Sequence, residues 1–138
     1  MIVGFNFTRI SAEKMEGYKG KIDINNNVAI KDVLQEDISL GKEKQNIIKF
    51  KFEFTSKYEP SLGMILLEGN VLYLDDPKKV REIVASWKKD KKIPKELMAM
   101  LLNQIMTKCN IHAIILSQDI NLPPPIPLPK VQMPADKN

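Results

Sequence analysis

The chain of 138 residues has one cysteine, one histidine and only two arginines, and each scarcity removes a class of protein. A lone cysteine, Cys109, cannot close an internal disulfide. A structural zinc site wants about four ligands, and Cys109 and His112 exhaust the thiols and imidazoles. The same pair, three residues apart, has no orienting third group. The chain also has no G-x-S-x-G turn and no phosphate-binding glycine loop. Neither an enzyme nor a metal or other cofactor is therefore expected. With Arg9 and Arg81 as the only arginines, bidentate recognition of phosphate or guanine has few carriers, despite a net charge of +4. The longest apolar stretch, Ile93 to Leu116, is broken by Lys95, Glu96, Asn103, Gln104, Lys108, Asn110 and His112, so no membrane span is expected. Met1 to Asn6 lacks a basic segment followed by an apolar one, so the expected location is cytoplasmic.

What is present suits a single domain over residues 1–131, with 132–138 as a disordered tail. The first half reads as strands. Val3, Phe5 and Phe7 alternate with Gly4, Asn6 and Thr8, and Lys21-Ile22-Asp23-Ile24 resumes the period after a crossover carrying Gly17 and Gly20. Asn25-Asn26-Asn27 reads as turn chemistry, and Val28 to Leu40 stays open between a short strand and a polar loop. Ile48, Phe50, Phe52 and Phe54 against Lys49, Lys51, Glu53 and Thr55 give the clearest half-buried strand. Tyr58 to Gly63 is its turn and Met64 to Leu74 the answering strand, with a bulge or bend expected at Gly69-Asn70.

The second half reads as helices. An Asp75 or Asp76 cap followed by Pro77 starts the first, which presents Val80, Ile83, Val84 and Trp87 on one face. Pro94 opens a longer helix, running to about Asp119, with a stripe of Leu97, Leu101, Ile105, Cys109 and His112. Met98, Leu102, Met106 and Ile114 widen the stripe beyond what one sheet face needs. An oligomer face is therefore expected at Leu97, Leu101, Ile105, Met106 and Cys109. Leu122 to Pro129 alternates proline with Ile126 and Leu128 and must be extended.

This order of elements resembles the SecB family of export chaperones and their SecB-like relatives. Phe5-Asn6-Phe7-Thr8-Arg9-Ile10 is similar to the family's first strand, and Lys21-Ile22-Asp23-Ile24-Asn25 to its second. Ile65 to Leu72 is similar to its glycine-interrupted strand, and Asn121 to Pro129 to its proline-rich segment. The resemblance implies a SecB-like four-stranded antiparallel sheet with one long helix on one side. The short helix before it departs from the family, and the fold expected is α+β with both helices packed on one side and an extended proline-rich C-terminal segment. It further implies dimers or tetramers and a hydrophobic groove that holds non-native polypeptide without ATP. The familiar members are acidic and this chain is basic, so fold and assembly carry over better than an export pathway.

On this reading the partner is a non-native polypeptide or another protein. The client-binding residues expected are Phe5, Phe7, Met15 and Tyr18, with Ile126 and Leu128 at the rim. For Phe5 and Phe7 a place in the core fits equally well. The alternative is a nucleic-acid-associated protein using Lys88, Lys89, Lys91, Lys92 and Lys95 beside Trp87, for which a solvated loop with an inward tryptophan is the plainer account. A third possibility is a purely structural oligomer subunit.

Overall fold

The alternating run at 48–54 lies in β3 (Glu43–Glu59), and the sheet is organised around it. The computed structural model describes residues 1–16 and 20–125, with the backbone alone at Leu40. Ile48, Phe50, Phe52 and Phe54 are all fully buried on one face of β3, each contributing roughly 1.5–3 kcal/mol by leaving water. β3 pairs antiparallel with β2 (Asp23–Leu40) on one side and β4 (Gly63–Leu74) on the other. β1 (Ile2–Lys14) pairs antiparallel with β4, giving the order β1-β4-β3-β2. β1 and β2 therefore lie at opposite edges of the sheet, and of the interval between Lys14 and Asp23 residues Gly17, Tyr18 and Lys19 lie outside the described residues.

β2 corrects the reading of the asparagines. Asn25, Asn26 and Asn27 pair with Lys57, Ser56 and Thr55 inside an unbroken ladder rather than forming a turn. The open stretch from Val28 to Leu40 is strand as well, and the reversal comes at Gly41, whose φ of 68° suits a glycine at a tight hairpin. A register shift lies between Ile30 and Asp32, and the Asp32 carboxylate accepts the Val33 N–H at 2.8 Å just beyond it.

The bulge expected in β4 lies in its neighbour instead. β4 runs in continuous register with β3, while β1 slips between Phe7 and Arg9, opposite Gly69 and Glu68. Gly69 is needed for close approach: a Cβ there would collide with the Asn6 carbonyl oxygen and meet the Phe52 ring at 2.8 Å. The sheet face opposite the core is charge-paired, with Lys49–Glu36 at 2.7 Å, Arg9–Glu68 at 3.4 Å and Lys31–Glu53 at 3.9 Å. Partly exposed pairs of this kind contribute under about 1 kcal/mol each.

α1 (Pro77–Asp90) and α2 (Lys95–Asp119) pack on the phenylalanine face. α1 lies over β2 and β3, and α2 over β4 and β3. Val80, Ile83, Val84 and Trp87 are buried as their spacing predicts. The expected aspartate cap is not made: Asp76 flanks Pro77 without a side-chain bond. Asp75 instead accepts the Asp76 N–H at 2.8 Å and the Tyr73 hydroxyl at 3.0 Å. Those two donors, the backbone one first, hold its carboxyl below the usual range, and Lys79 and the N-terminal ammonium add to the effect.

α2 buries Leu97, Leu101, Ile105, Cys109, Ala113 and Ser117, a strict i, i+4 row. His112 therefore sits beside the row rather than in it. The helix closes with Asn121 in the left-handed region at φ 58° and the Leu122 N–H on the Ser117 carbonyl at 2.8 Å. That turn sends the chain back across the sheet. Among the described residues no helix is long and apolar enough to cross a membrane.

Candidate functional site

The segment that leaves α2 crosses the end of the sheet, on the side facing the helices, and touches every strand in turn. Lys14 of β1 donates to the Asn121 carbonyl at 3.2 Å. The Leu122 side chain is buried where a Cβ on Gly63 of β4 would meet it at 3.2 Å. Tyr58 of β3 donates its hydroxyl to the Pro123 carbonyl at 2.6 Å, and Asn26 of β2 donates its amide to the Pro125 carbonyl at 2.9 Å. Ser56 of β3 donates to the Asn26 carbonyl oxygen at 2.6 Å, which fixes that amide with its N–H groups toward the strap. Burial pushes the Tyr58 hydroxyl up to about 12, keeping it a proton donor at neutral pH.

This corner of the molecule holds two adjoining open depressions, of about 580 and 390 Å³, which meet at Lys14 and Met15. Tyr58, Ser61 and Met64 line the larger one. Ile22, Leu62, Leu122 and Pro123 line the smaller. The Met15 backbone is anchored, its N–H on the Leu62 carbonyl at 2.6 Å, while its side chain stays 65% exposed. A pinned backbone with a free, adaptable apolar side chain beside an open cleft suits contact with varied sequences.

Of the expected client-binding residues, the structure places Met15 at this cleft, whereas Phe5 and Phe7 line neither depression. They are half-buried in an aromatic group at the edge of the core. The Phe5 ring stacks on Phe52 at 5.2 Å, and the Phe7 ring meets Phe5 at 5.1 Å and His112 at 4.6 Å edge-on. Tyr18, Ile126 and Leu128, together with the rest of the proline segment and the 132–138 tail, lie outside the described residues. Sequence reasoning passed over Tyr58, Asn26 and Ser56. The available signal was polarity on the core-facing side of β2, where Asn26 stands between Ile24 and Val28.

The expected oligomer face needs correcting. Leu97, Leu101, Ile105 and Cys109 point into the chain's own core, so they have no surface to offer a partner, and Met106 is half-buried against the same core. Among the described residues the large apolar side chains left exposed, besides Met15, are Met100, Ile111 and Ile115 on α2, with Met1, Val3 and Ile10 on and beside β1. Burial also pushes the Cys109 thiol up to about 12, which leaves it neutral and inert. Lys88, Lys89, Lys91, Lys92 and Lys95 are all exposed. Trp87 is buried, however, and Lys91 sits over its ring at 5.2 Å, so the patch has no stacking platform for a base.

No protein-family model and no curated protein matches the sequence. Among solved structures the chain is similar to the Mycobacterium tuberculosis SecB-like chaperone Rv1957, in complex with a ChAD peptide from the Rv1956 HigA1 antitoxin. The TM-score is 0.53 at 14% identity, covering 96% of this chain and 87% of that one. The fold, a four-stranded antiparallel sheet with two helices, is SecB-like.

Proposed function

We propose that this protein is an ATP-independent SecB-like chaperone, or polypeptide-binding scaffold, that holds non-native chains in a cytoplasmic setting. The observation that carries the reading is the open cleft at Met15, where Ile22, Leu62 and Leu122 give an apolar wall among Lys14, Glu16 and Asn121, adjoining side chains that already bind an extended backbone. The SecB-like fold supports it, since a protein of that fold has been seen with a peptide bound. Affinity comes from apolar burial, about 25 cal/mol per Å² before ordering costs are subtracted. Ile126 and Leu128 continue the strap and belong to the same proposal as rim residues. Assembly as a homodimer or tetramer would use the free edge of β1 and the outward residues Ile111 and Ile115, not the buried row of α2.

The test is light scattering from a chemically unfolded client as it aggregates, at low and high salt, with particle mass recorded alongside. Suppression near stoichiometry that persists in high salt is the expected result. Suppression that disappears with salt points instead to charge contacts such as those of the exposed lysine face, because salt screens interactions between exposed charges.

A further inference from the structure

The strap is bound to the sheet in a way that takes no account of its sequence. Tyr58 and Asn26 each donate to a backbone carbonyl, of Pro123 and Pro125, two residues apart. Carbonyls at that spacing lie on one side of a β-extended chain. Pro123, Pro124 and Pro125 offer no N–H, and the seat asks for none. A foreign extended polypeptide crossing the same sheet end would satisfy the same two donors equally well. The strap borders the Met15 cleft through Leu122 and Pro123, so a chain entering that cleft meets it at once.

The strap also divides into a fixed and a liftable part. Leu122 is 8% exposed and tied to Ser117 through its N–H, which makes it an anchor. Pro123 and Pro124 beyond it are exposed while Pro125 is buried, and the two carbonyl bonds tie residues 123–125 to the sheet. Lifting that piece would uncover the buried Tyr58 hydroxyl and hand the Asn26 amide, whose residue is already exposed, from the Pro125 carbonyl to water.

We propose that residues Pro123–Pro125 are a built-in competitor, occupying a two-carbonyl seat made by Asn26, Ser56 and Tyr58 that an extended segment of a client polypeptide takes over. The proposal rests on the polypeptide-holding reading and assigns the seat of its autoinhibition. Because the strap is tethered directly to α2, its effective concentration at the seat is high, on the order of millimolar or more. The apparent affinity for a client is reduced by the fraction of molecules whose strap is lifted. Stiff prolines raise that penalty, since they lose little entropy on docking.

The experiment uses the full chain and the variants Pro124→Gly and Pro123→Gly/Pro124→Gly, which loosen the strap and leave the seat intact. The client is an unfolded, fluorescently labelled model protein titrated by anisotropy. Exchange of the Asn26 side-chain amide protons, followed by NMR without client, reports strap lifting independently. The expected result is about two- to fivefold tighter client binding for the single variant, with Asn26 exchange faster by a similar factor. Faster exchange with unchanged or weaker binding would overturn the proposal, making the strap a wall of the site and not its rival. Unchanged exchange in the double variant would overturn it too, since the strap would then not lift apart from the fold. Client binding by neither the natural chain nor the variants would refute the holding function itself. Tighter binding by the variants alone would support both.

Discussion

Replacing Met15 with serine separates client binding from folding. The Met15 side chain is 65% exposed, so most of its apolar surface is still available to a bound chain. Fully burying a methionine is worth roughly 1.5–3 kcal/mol, and the exposed share therefore corresponds to about 1–2 kcal/mol. That converts to a rise of about five- to thirtyfold in the client dissociation constant. The backbone N–H that binds Leu62 is kept by serine, so urea unfolding should shift by no more than about 0.5 kcal/mol. Met15→Leu, which preserves the apolar contact, should bind within about twofold of the natural chain. Anisotropy titrations and urea melts on the three proteins decide the matter. If Met15→Ser binds as tightly as the natural chain, or loses binding only in step with stability, the cleft at Met15 is not where clients sit.

Gly69→Ala should lower urea stability by about 1–3 kcal/mol, because the new methyl group meets the Asn6 carbonyl and the Phe52 ring in a strand paired on both sides. Leu101→Ala should cost about 2–5 kcal/mol as a core cavity, whereas Ile111→Ser/Ile115→Ser should leave stability nearly unchanged and lower the mass seen by light scattering. Above pH 9 the protein should lose stability as pH rises. The folded chain holds the protons of Cys109 and Tyr58, both up at about 12, while the unfolded chain releases them at the ordinary values of 9.0 and 10.0. Tyr58→Phe should flatten the part of that loss between pH 10 and 12 in urea melts followed across the range.

The parts of this fold visible in the sequence were those where side chain and environment agree. Phe50, Phe52 and Phe54 alternate with charged residues because β3 has helices on one side and solvent on the other. Val80, Ile83, Val84 and Trp87 fall at helical spacing for the same reason. The three asparagines of β2 misled because turn preference is a local tendency, overridden here by ladder pairing and by a use for Asn26 that lies 99 residues away. α2 misled in another way. Its apolar residues wrap more than one face, and the sequence alone does not say which row faces inward. The row that runs in steps of four to Ala113 and Ser117 is the buried one, and those small residues are what let the helix end lie close to the sheet. The strap seat was hardest to see, since its chemistry is between side chains and backbone carbonyls, and carbonyls leave no mark on composition.

The sheet order has a consequence for how the molecule comes into being. β1 is made first, yet its only partner in the sheet is β4, so Arg9 waits for Glu68 and Ile2 for Tyr73. During synthesis the segment Ile2–Lys14, with two phenylalanines and two isoleucines, emerges before β4, the strand that receives it. β2, β3 and β4 can zip as consecutive hairpins behind it. The nascent protein is thus, for part of its own birth, an unpaired extended chain with apolar side chains in water.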